Sequence, residues 1–461
     1  MNTKSSLSLW RRRRPLLAAL VCVILAGCGF EEQRLIWAPD GQRAAVLDHQ
    51  KFYLTDAVGK LTPALAENVQ RVAWFGDSQR LVLATTRNVF KWAELAEEIG
   101  PEKTQEVVAS AEAEWKKIQN GTSWEDASKK LELGNANTLS LYLCEHHGAN
   151  LRAKVDEKTW KQIEGQAVVG INQLVFARLE GDRLVLGRVF HHGLGNYADI
   201  RIAPGDRAVA FLADLALEKD SGTRLFVMPA DGGIVEVARM VASFPDWTPD
   251  GRSLAYVQGA VEGGGNGQLP QLGALLVRRV FADDGTVALA PEPQALAGCI
   301  LTGAIRVRCL RDGRILFNTA EISLPISKAD GGSEREQLFA IDPARQSTLV
   351  RLIPRSAENR MPSGLTFFEV SPDEKRVLFG TDKGEVRLLA LATGQVDEVQ
   401  NAGDELSGVP QWRNAEEFSY TRRNAEKDGV KPAHECDLVL RRGDQETVLS
   451  AAWPAEMLKA K

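Results

Sequence analysis

Asp246-Trp247-Thr248-Pro249-Asp250-Gly251, followed at once by the apolar run Leu254-Ala255-Tyr256-Val257, is the stretch whose reading decides the fold. Trp247 ends one short strand. Pro249 presets the first dihedral of a tight turn, Asp250 can bond its own backbone, and Gly251 supplies positive φ. The run that follows suits a strand on a pleated, half-buried surface. Strand, turn, strand is therefore the local unit.

The unit recurs in both directions from there. Trp37-Ala38-Pro39-Asp40-Gly41 precedes Ala44-Ala45-Val46-Leu47, and Trp74-Phe75-Gly76-Asp77 precedes Leu81-Val82-Leu83. Ile202-Ala203-Pro204-Gly205-Asp206, Cys309-Leu310-Arg311-Asp312-Gly313, Val370-Ser371-Pro372-Asp373 and Trp412-Arg413-Asn414 each precede a similar apolar run. Apart from one gap, the copies lie about 37, 42, 45, 61 and 62 residues apart, and the short intervals match a propeller blade. Polar hairpins such as Met228-Pro229-Ala230-Asp231-Gly232 and Ala390-Leu391-Ala392-Thr393-Gly394 look like outer strands of the same units. Val169 to Gly187 reads as a worn eighth copy within the gap between Trp74 and Ile202. The expectation is an all-β, seven- or eight-bladed propeller over residues 34–455.

The Trp-x-Pro-Asp-Gly unit resembles the TolB-like, or WD40-like, β-propeller repeat, and the resemblance covers nearly all of the chain after its N-terminal segment. The Trp247 copy is close to that pattern, and the Cys309 and Trp412 copies depart from it. The resemblance implies protein–protein interaction near the outer membrane. The family's own partner set is not carried over, because TolB has an extra N-terminal domain and the repeats here begin within about ten residues of Cys28.

Residues 93–133 break the β rhythm. Glu102 to Gln119 is rich in Glu, Ala and Lys and reads as a helix, and Thr122-Ser123-Trp124-Glu125 opens a second with a capping-box pattern, ending near Gly134. Trp115 and Trp124 could close the two into a hairpin on the second blade. It reads as a solvated insert packed on its own blade or as a partner-binding protrusion. The glycine-rich stretch Gly259 to Gly267 reads as a loop.

The N-terminus carries Arg11, Arg12, Arg13 and Arg14, then an apolar run from Leu16 to Leu25. That run is well short of the roughly 20 residues a membrane-spanning helix needs, so the segment reads as a secretory signal. Leu25-Ala26-Gly27-Cys28 resembles the lipobox of bacterial lipoproteins. The resemblance implies cleavage after residue 27 and acylation of Cys28, with 28–33 as a short linker. An ordinary cleaved signal or an uncleaved anchor is the plainer alternative. The arginine run matches a twin-arginine export signal poorly, and Cys22 lacks small residues before it. Gly29 replaces the Asp that commonly retains such proteins at the inner membrane, so attachment at the periplasmic face of the outer membrane is expected.

Charge and cysteines bound the chemistry. The whole chain has net charge −5. Residues 1–27 hold Lys4, the four arginines and no acid, so the remainder stands at about −10. Such a chain is a poor candidate for nucleic acid, and its hold on a membrane must come from the acyl chains. Beyond Cys28, an oxidising compartment would allow a Cys299–Cys309 hairpin disulfide, with the pairing left open by Cys144 and Cys436.

His146-His147 and His191-His192 invite a metal reading, but adjacent residues of a strand point to opposite faces, so polar loop histidines are the expectation. No zinc-ligand spacing, EF-hand or phosphate loop is present, and neither cofactor nor metal is expected. Gly-x-Ser-x-Gly, the elbow of the peptidases to which such propellers are fused, is also missing. Asp40, Asp77, Asp250, Asp312 and Asp373 recur at one turn position and read as structural. The function expected is thus a non-enzymatic, membrane-anchored propeller that binds an envelope protein. The alternative is a small-ligand or carbohydrate-binding, even hydrolytic, propeller with polar and charged groups from several blades meeting in the channel.

Overall fold

The computed structural model describes residues 34–129, 136–214, 222–230, 232–259, 271–301, 305–322, 334–345, 349–353, 364–381, 385–400, 410–424 and 429–459. The signal segment, Cys28, the 28–33 linker, Gly134 and the stretch from 260 to Gly267 lie outside them. The strands of the described residues form seven antiparallel-built sheets.

The first sheet holds Leu35–Trp37, Arg43–Asp48 and Lys51–Asp56. Val69–Trp74, Arg80–Val89, Val169–Glu180 and Arg183–Gly193 make the second. Tyr197–Ile202, Ala208–Asp214, Thr223–Pro229 and Val235–Ala238 make the third. In the fourth are Asp246–Trp247, Ser253–Gly259, Gln271–Arg279 and Gln294–Leu301. The fifth has Ile305–Cys309, Ile315–Ile322, Glu334–Ile341 and Val350–Arg351, with Ser243–Phe244 added in parallel on its first strand. Leu365–Val370, Arg376–Thr381, Val386–Ala390 and Val396–Gln400 build the sixth. The seventh contains Gln411–Trp412, Glu417–Arg423, Cys436–Arg442 and Gln445–Val448.

Sheets of this kind bury both faces only by stacking on neighbours. Each successive pair does so around its own apolar cluster. Trp74 and Leu54 fill the first-to-second junction, Phe211 and Phe75 the second-to-third, and Trp247 and Leu212 the third-to-fourth. Ala255 with Phe317, Phe368 with Leu316, and Leu378 with Tyr420 continue the series. Leu35 and Trp37 then pack on Leu438 and Leu440, so the seventh sheet meets the first and the ring closes. The first strands of neighbouring sheets lie against one another and form the inner wall. This is a β-propeller.

The repeat tryptophans fasten the ring. The indole N–H of Trp74 donates to the carbonyl of Ile36 (3.0 Å), that of Trp247 to Arg201 (3.3 Å) and that of Trp412 to Glu369 (3.1 Å). Each acceptor stands one residue before the matching position on the preceding sheet. Trp37 reaches its neighbour indirectly: it donates to Ser419 Oγ at 2.9 Å, and Ser419 Oγ donates to the carbonyl of Gln411 at 3.4 Å.

Among the described residues no strand crosses between the seventh and first sheets, where side chains and the C-terminal tail make the closing contacts. Trp453, Met457 and Leu458 are buried in the closing cluster. The Trp453 indole donates to the carbonyl of Gly59 at 2.8 Å, and the Leu458 N–H to Asp48 Oδ1 at 3.2 Å. Gly59 is required here. Its φ is +85°, and a Cβ would stand 2.2 Å from the Leu449 oxygen.

Two expectations are corrected. Val169 to Gly187 is not a separate blade. The strand Val169–Glu180 pairs along its length with Arg80–Val89, from Val89↔Val169 to Arg80↔Arg178. It is the third strand of a sheet whose hairpin has been opened by an insertion. That insertion runs from 92 to 166 rather than 93 to 133, and its described residues form five helices: α1 Trp92–Ile99, α2 Pro101–Gln119, α3 Trp124–Lys129, α4 Ala136–Arg152 and α5 Glu157–Gln166. Trp115 and Trp124 do share a core, which also takes in Leu139, Leu143 and Ile163 and reaches Val89 and Val169 at the base. The cap of α3 lies one residue beyond the Thr122-to-Glu125 box read from the sequence: Ser123 Oγ accepts the Asp126 N–H at 3.1 Å.

If the tail is the ring's fastener, Trp453→Ala should cost about 3–5 kcal/mol in denaturant unfolding. A Val58→Ala control on the exposed turn beside it should stay within about 0.5 kcal/mol.

Candidate functional site

Period-two alternation turns the repeat's aromatic position toward the preceding sheet and the residue before it toward the following one, as Trp74 in the first-to-second cluster and Ala73 in the second-to-third show. On the first and second sheets that residue is Ile36 or Ala73. On the third to sixth sheets it is Arg201, Asp246, Arg308 and Glu369, with Asp199 and Arg306 two residues earlier on their strands. Six charged groups from four neighbouring sheets therefore gather along the inner strands.

They are arranged as opposite pairs. Glu369 accepts from Arg306 Nη1 at 2.9 Å and from Arg308 Nη2 at 3.0 Å. Arg201 Nε donates to Asp199 Oδ2 at 2.7 Å. Asp246 Oδ2 accepts the Cys309 N–H at 2.9 Å. The guanidinium of Arg306 also lies over the Phe244 ring, 5.0 Å from its centroid. Burial pushes the Glu369 carboxyl up, but Arg308 and Arg306 outweigh it and hold the group below the ordinary range. At Asp246 burial wins, and the carboxyl is raised despite Arg308 and Arg201. Burial likewise lowers Arg306, while Arg308, flanked by Glu369 and Asp246, is raised. Three guanidiniums and three carboxyls thus share one cluster.

The histidines do not converge. His146 and His147 lie on α4, not on a strand, and His191 and His192 on the outer strand of the second sheet. His147 Nε2 and the Tyr142 hydroxyl both meet Glu112 Oε1, at 2.7 and 2.6 Å, and the His147 ring stacks on Trp115. His192 Nδ1 sits 2.9 Å from Glu98 of α1, which also takes Arg87, so the pair ties the helical module to its sheet. His191 accepts from the Tyr197 hydroxyl at 2.6 Å and packs on Phe211, and burial depresses its pKa to about 4. Among the described residues no group of three or more His, Cys, Asp or Glu is gathered to hold a metal ion.

The Cys299–Cys309 bridge is not formed; both are free thiols. Cys309 occupies the tryptophan position of the repeat, its sulfur 3.9 Å from the carbonyl of Asp246, where an indole would donate. It is committed to its neighbour's wall rather than to Cys299. Asp40, Asp77, Asp250, Asp312 and Asp373 each accept the N–H two residues on, at 2.9 to 3.3 Å. They shape turns.

The channel charges were not among the residues singled out in the sequence. Their signal is present: Asp199-Ile200-Arg201 and Arg306-Val307-Arg308 place charges at period two on strands that otherwise face a core.

No family model matches the chain, and no curated protein does. Solved propellers align over much of it. The propeller domain of the Trilobed protease from Pyrococcus furiosus is 9% identical at TM-score 0.47, covering 88% of this chain and 93% of its own. The Cps50 propeller domain from Myceliophteria thermophila is 11% identical at TM-score 0.41, covering 85% and 93%. A putative TolB from Agrobacterium tumefaciens is 10% identical at TM-score 0.35, covering 57% and 83%. At such scores these likenesses carry nothing about activity, and the propeller assignment rests on the strand pairing above.

Glu369→Gln keeps the side chain's shape but leaves Arg306 and Arg308 buried without their counter-charge. A loss of about 3–5 kcal/mol in equilibrium unfolding is expected. His191 gives a pH signature. The unfolded chain takes up its proton near the ordinary value of about 6.5 and the folded one only near 4. Stability should therefore fall as pH drops between these values, and the slope should be shallower in His191→Phe when unfolding midpoints are followed with pH.

Proposed function

We propose that this protein is a lipid-anchored envelope propeller of the TolB-like kind that acts without catalysis, by holding another envelope protein. The supporting observation is the helical module of residues 92–166. It carries its own hydrophobic core and is fixed to the second sheet by Arg87, Glu98 and His192. A rigid ring that displays one large, firmly based protrusion suits recognition of a macromolecule. Among the described residues no helix is long and apolar enough to cross a membrane. Attachment is assigned to acylated Cys28 at the periplasmic face of the outer membrane.

The module can be removed cleanly in principle, because Val89 and Val169 are register partners. An Asn-Gly turn in place of residues 90–168 restores an ordinary hairpin. In-cell crosslinking followed by mass spectrometry should recover a reproducible envelope protein with the wild-type chain and lose it with this variant, both folded by circular dichroism. The same partner recovered equally from both would refute the assignment to the module. Cys28→Ser should move the protein from the outer-membrane fraction to the soluble or unprocessed pool; unchanged fractionation would remove the anchor.

A further inference from the structure

The helical module and the chain's entry into the ring lie on one face. The Leu47 N–H donates to the carbonyl of Arg34 at 2.9 Å, the Val69 N–H to that of Gln50 at 2.8 Å, and the Thr86 N–H to that of Asn68 at 2.9 Å. These bonds lead from Arg34, past the His49–Gln50 turn, to within three residues of Val89, where the second sheet opens into the module. The Leu458 N–H on Asp48 brings the C-terminal tail to the same face. The turns shaped by Asp40, Asp77, Asp250, Asp312 and Asp373 stand at the opposite ends of the strands. On the first sheet the six residues Arg43–Asp48 separate the two faces by about 20 Å.

We infer that this face is turned to the membrane in the anchored protein, and that the module takes as its partner a protein seated in the same bilayer, met through a basic surface of that protein. The inference rests on the lipid-anchor reading of Cys28 and adds a direction to it. Residues 28–33 reach about 20 Å at full extension. The 19 residues of α2 alone span about 28 Å. Since the module stands on the sheet next to the one the tether enters, the bilayer surface lies within the module's own length. Reaching the bilayer from the opposite face would use the whole tether in crossing the first sheet. Charge then chooses between lipid and protein. Residues 92–166 carry fourteen Asp and Glu against nine Lys and Arg, which disfavours an anionic lipid surface and favours a basic protein one.

The test uses the full, acylated chain. It is bound to phosphatidylcholine vesicles that contain a lipid spin-labelled at its headgroup. A fluorescent amino acid encoded at exposed Lys158 of α5 should lose its emission there, and one at exposed Lys375 on the opposite face should keep it. In intact cells, a photo-crosslinking amino acid at Lys158 should give an adduct with a protein of the membrane fraction that Lys375 does not give. Raising the salt in isolated envelopes should reduce the yield of that adduct. Quenching at Lys375 equal to that at Lys158, or Lys158 adducts formed only with lipid or with a soluble protein, would overturn the proposal. Mass spectrometry of Cys28 separates the two failures. An unacylated Cys28 removes the anchor and the inference with it, whereas an acylated chain with the reversed pattern removes the inference alone.

Discussion

The ring depends on the junction between each inner strand and the one before it, and at three of these an indole-to-carbonyl hydrogen bond sets the junction. Trp74, Trp247 and Trp412 each reach the carbonyl that precedes the matching residue on the neighbouring sheet. The bond fixes depth and rotation together, because the indole must be buried to the wall for its N–H to arrive. Non-directional packing alone would fix neither. Elsewhere the wall adjusts: Ser419 relays for Trp37, and where cysteine replaces the tryptophan the Cys309 thiol approaches the equivalent carbonyl of Asp246.

The same geometry creates the charged cluster. Turning the aromatic residue to the preceding sheet turns its predecessor to the following one. On the third to sixth sheets the predecessors are charged, and burial makes their pairing compulsory. Glu369 shows both roles, since its backbone carbonyl takes the Trp412 indole while its carboxylate joins Arg306 and Arg308. One inner-strand residue thus serves both neighbouring sheets.

The turn signals made most of this fold legible before any coordinates. Pro-Asp-Gly combinations marked the turns, and the apolar runs after them are the second strands that were expected. What misled was continuity. Arg80–Val89 and Val169–Glu180 are hairpin partners separated by the helical module, and local periodicity carries no record of which distant strand a strand will pair with. Similar reasons explain the cysteines and histidines. Cys299 and Cys309 are near in sequence, but Cys309 is held to the wall of its neighbouring sheet. His146 and His147, expected as polar loop residues, lie on a helix that packs into the module's own core. The channel arginines and carboxylates were written in the sequence at period two, but their meaning appears only when seven inner strands face one axis.

The arrangement of one propeller with its second sheet split by a helical module is most directly tested at the split. Thr85 and Gln173 are register partners on either side of it, both only partly buried. Antiparallel partners lie at Cα separations of about 4.5–5.5 Å, within the span of a disulfide. The double variant Thr85→Cys, Gln173→Cys should oxidise to a linked peptide pair detectable by mass spectrometry, with no loss of folded signal. Free thiols at both positions in the folded, oxidised protein would contradict the pairing and return residues 169–193 to a blade of their own.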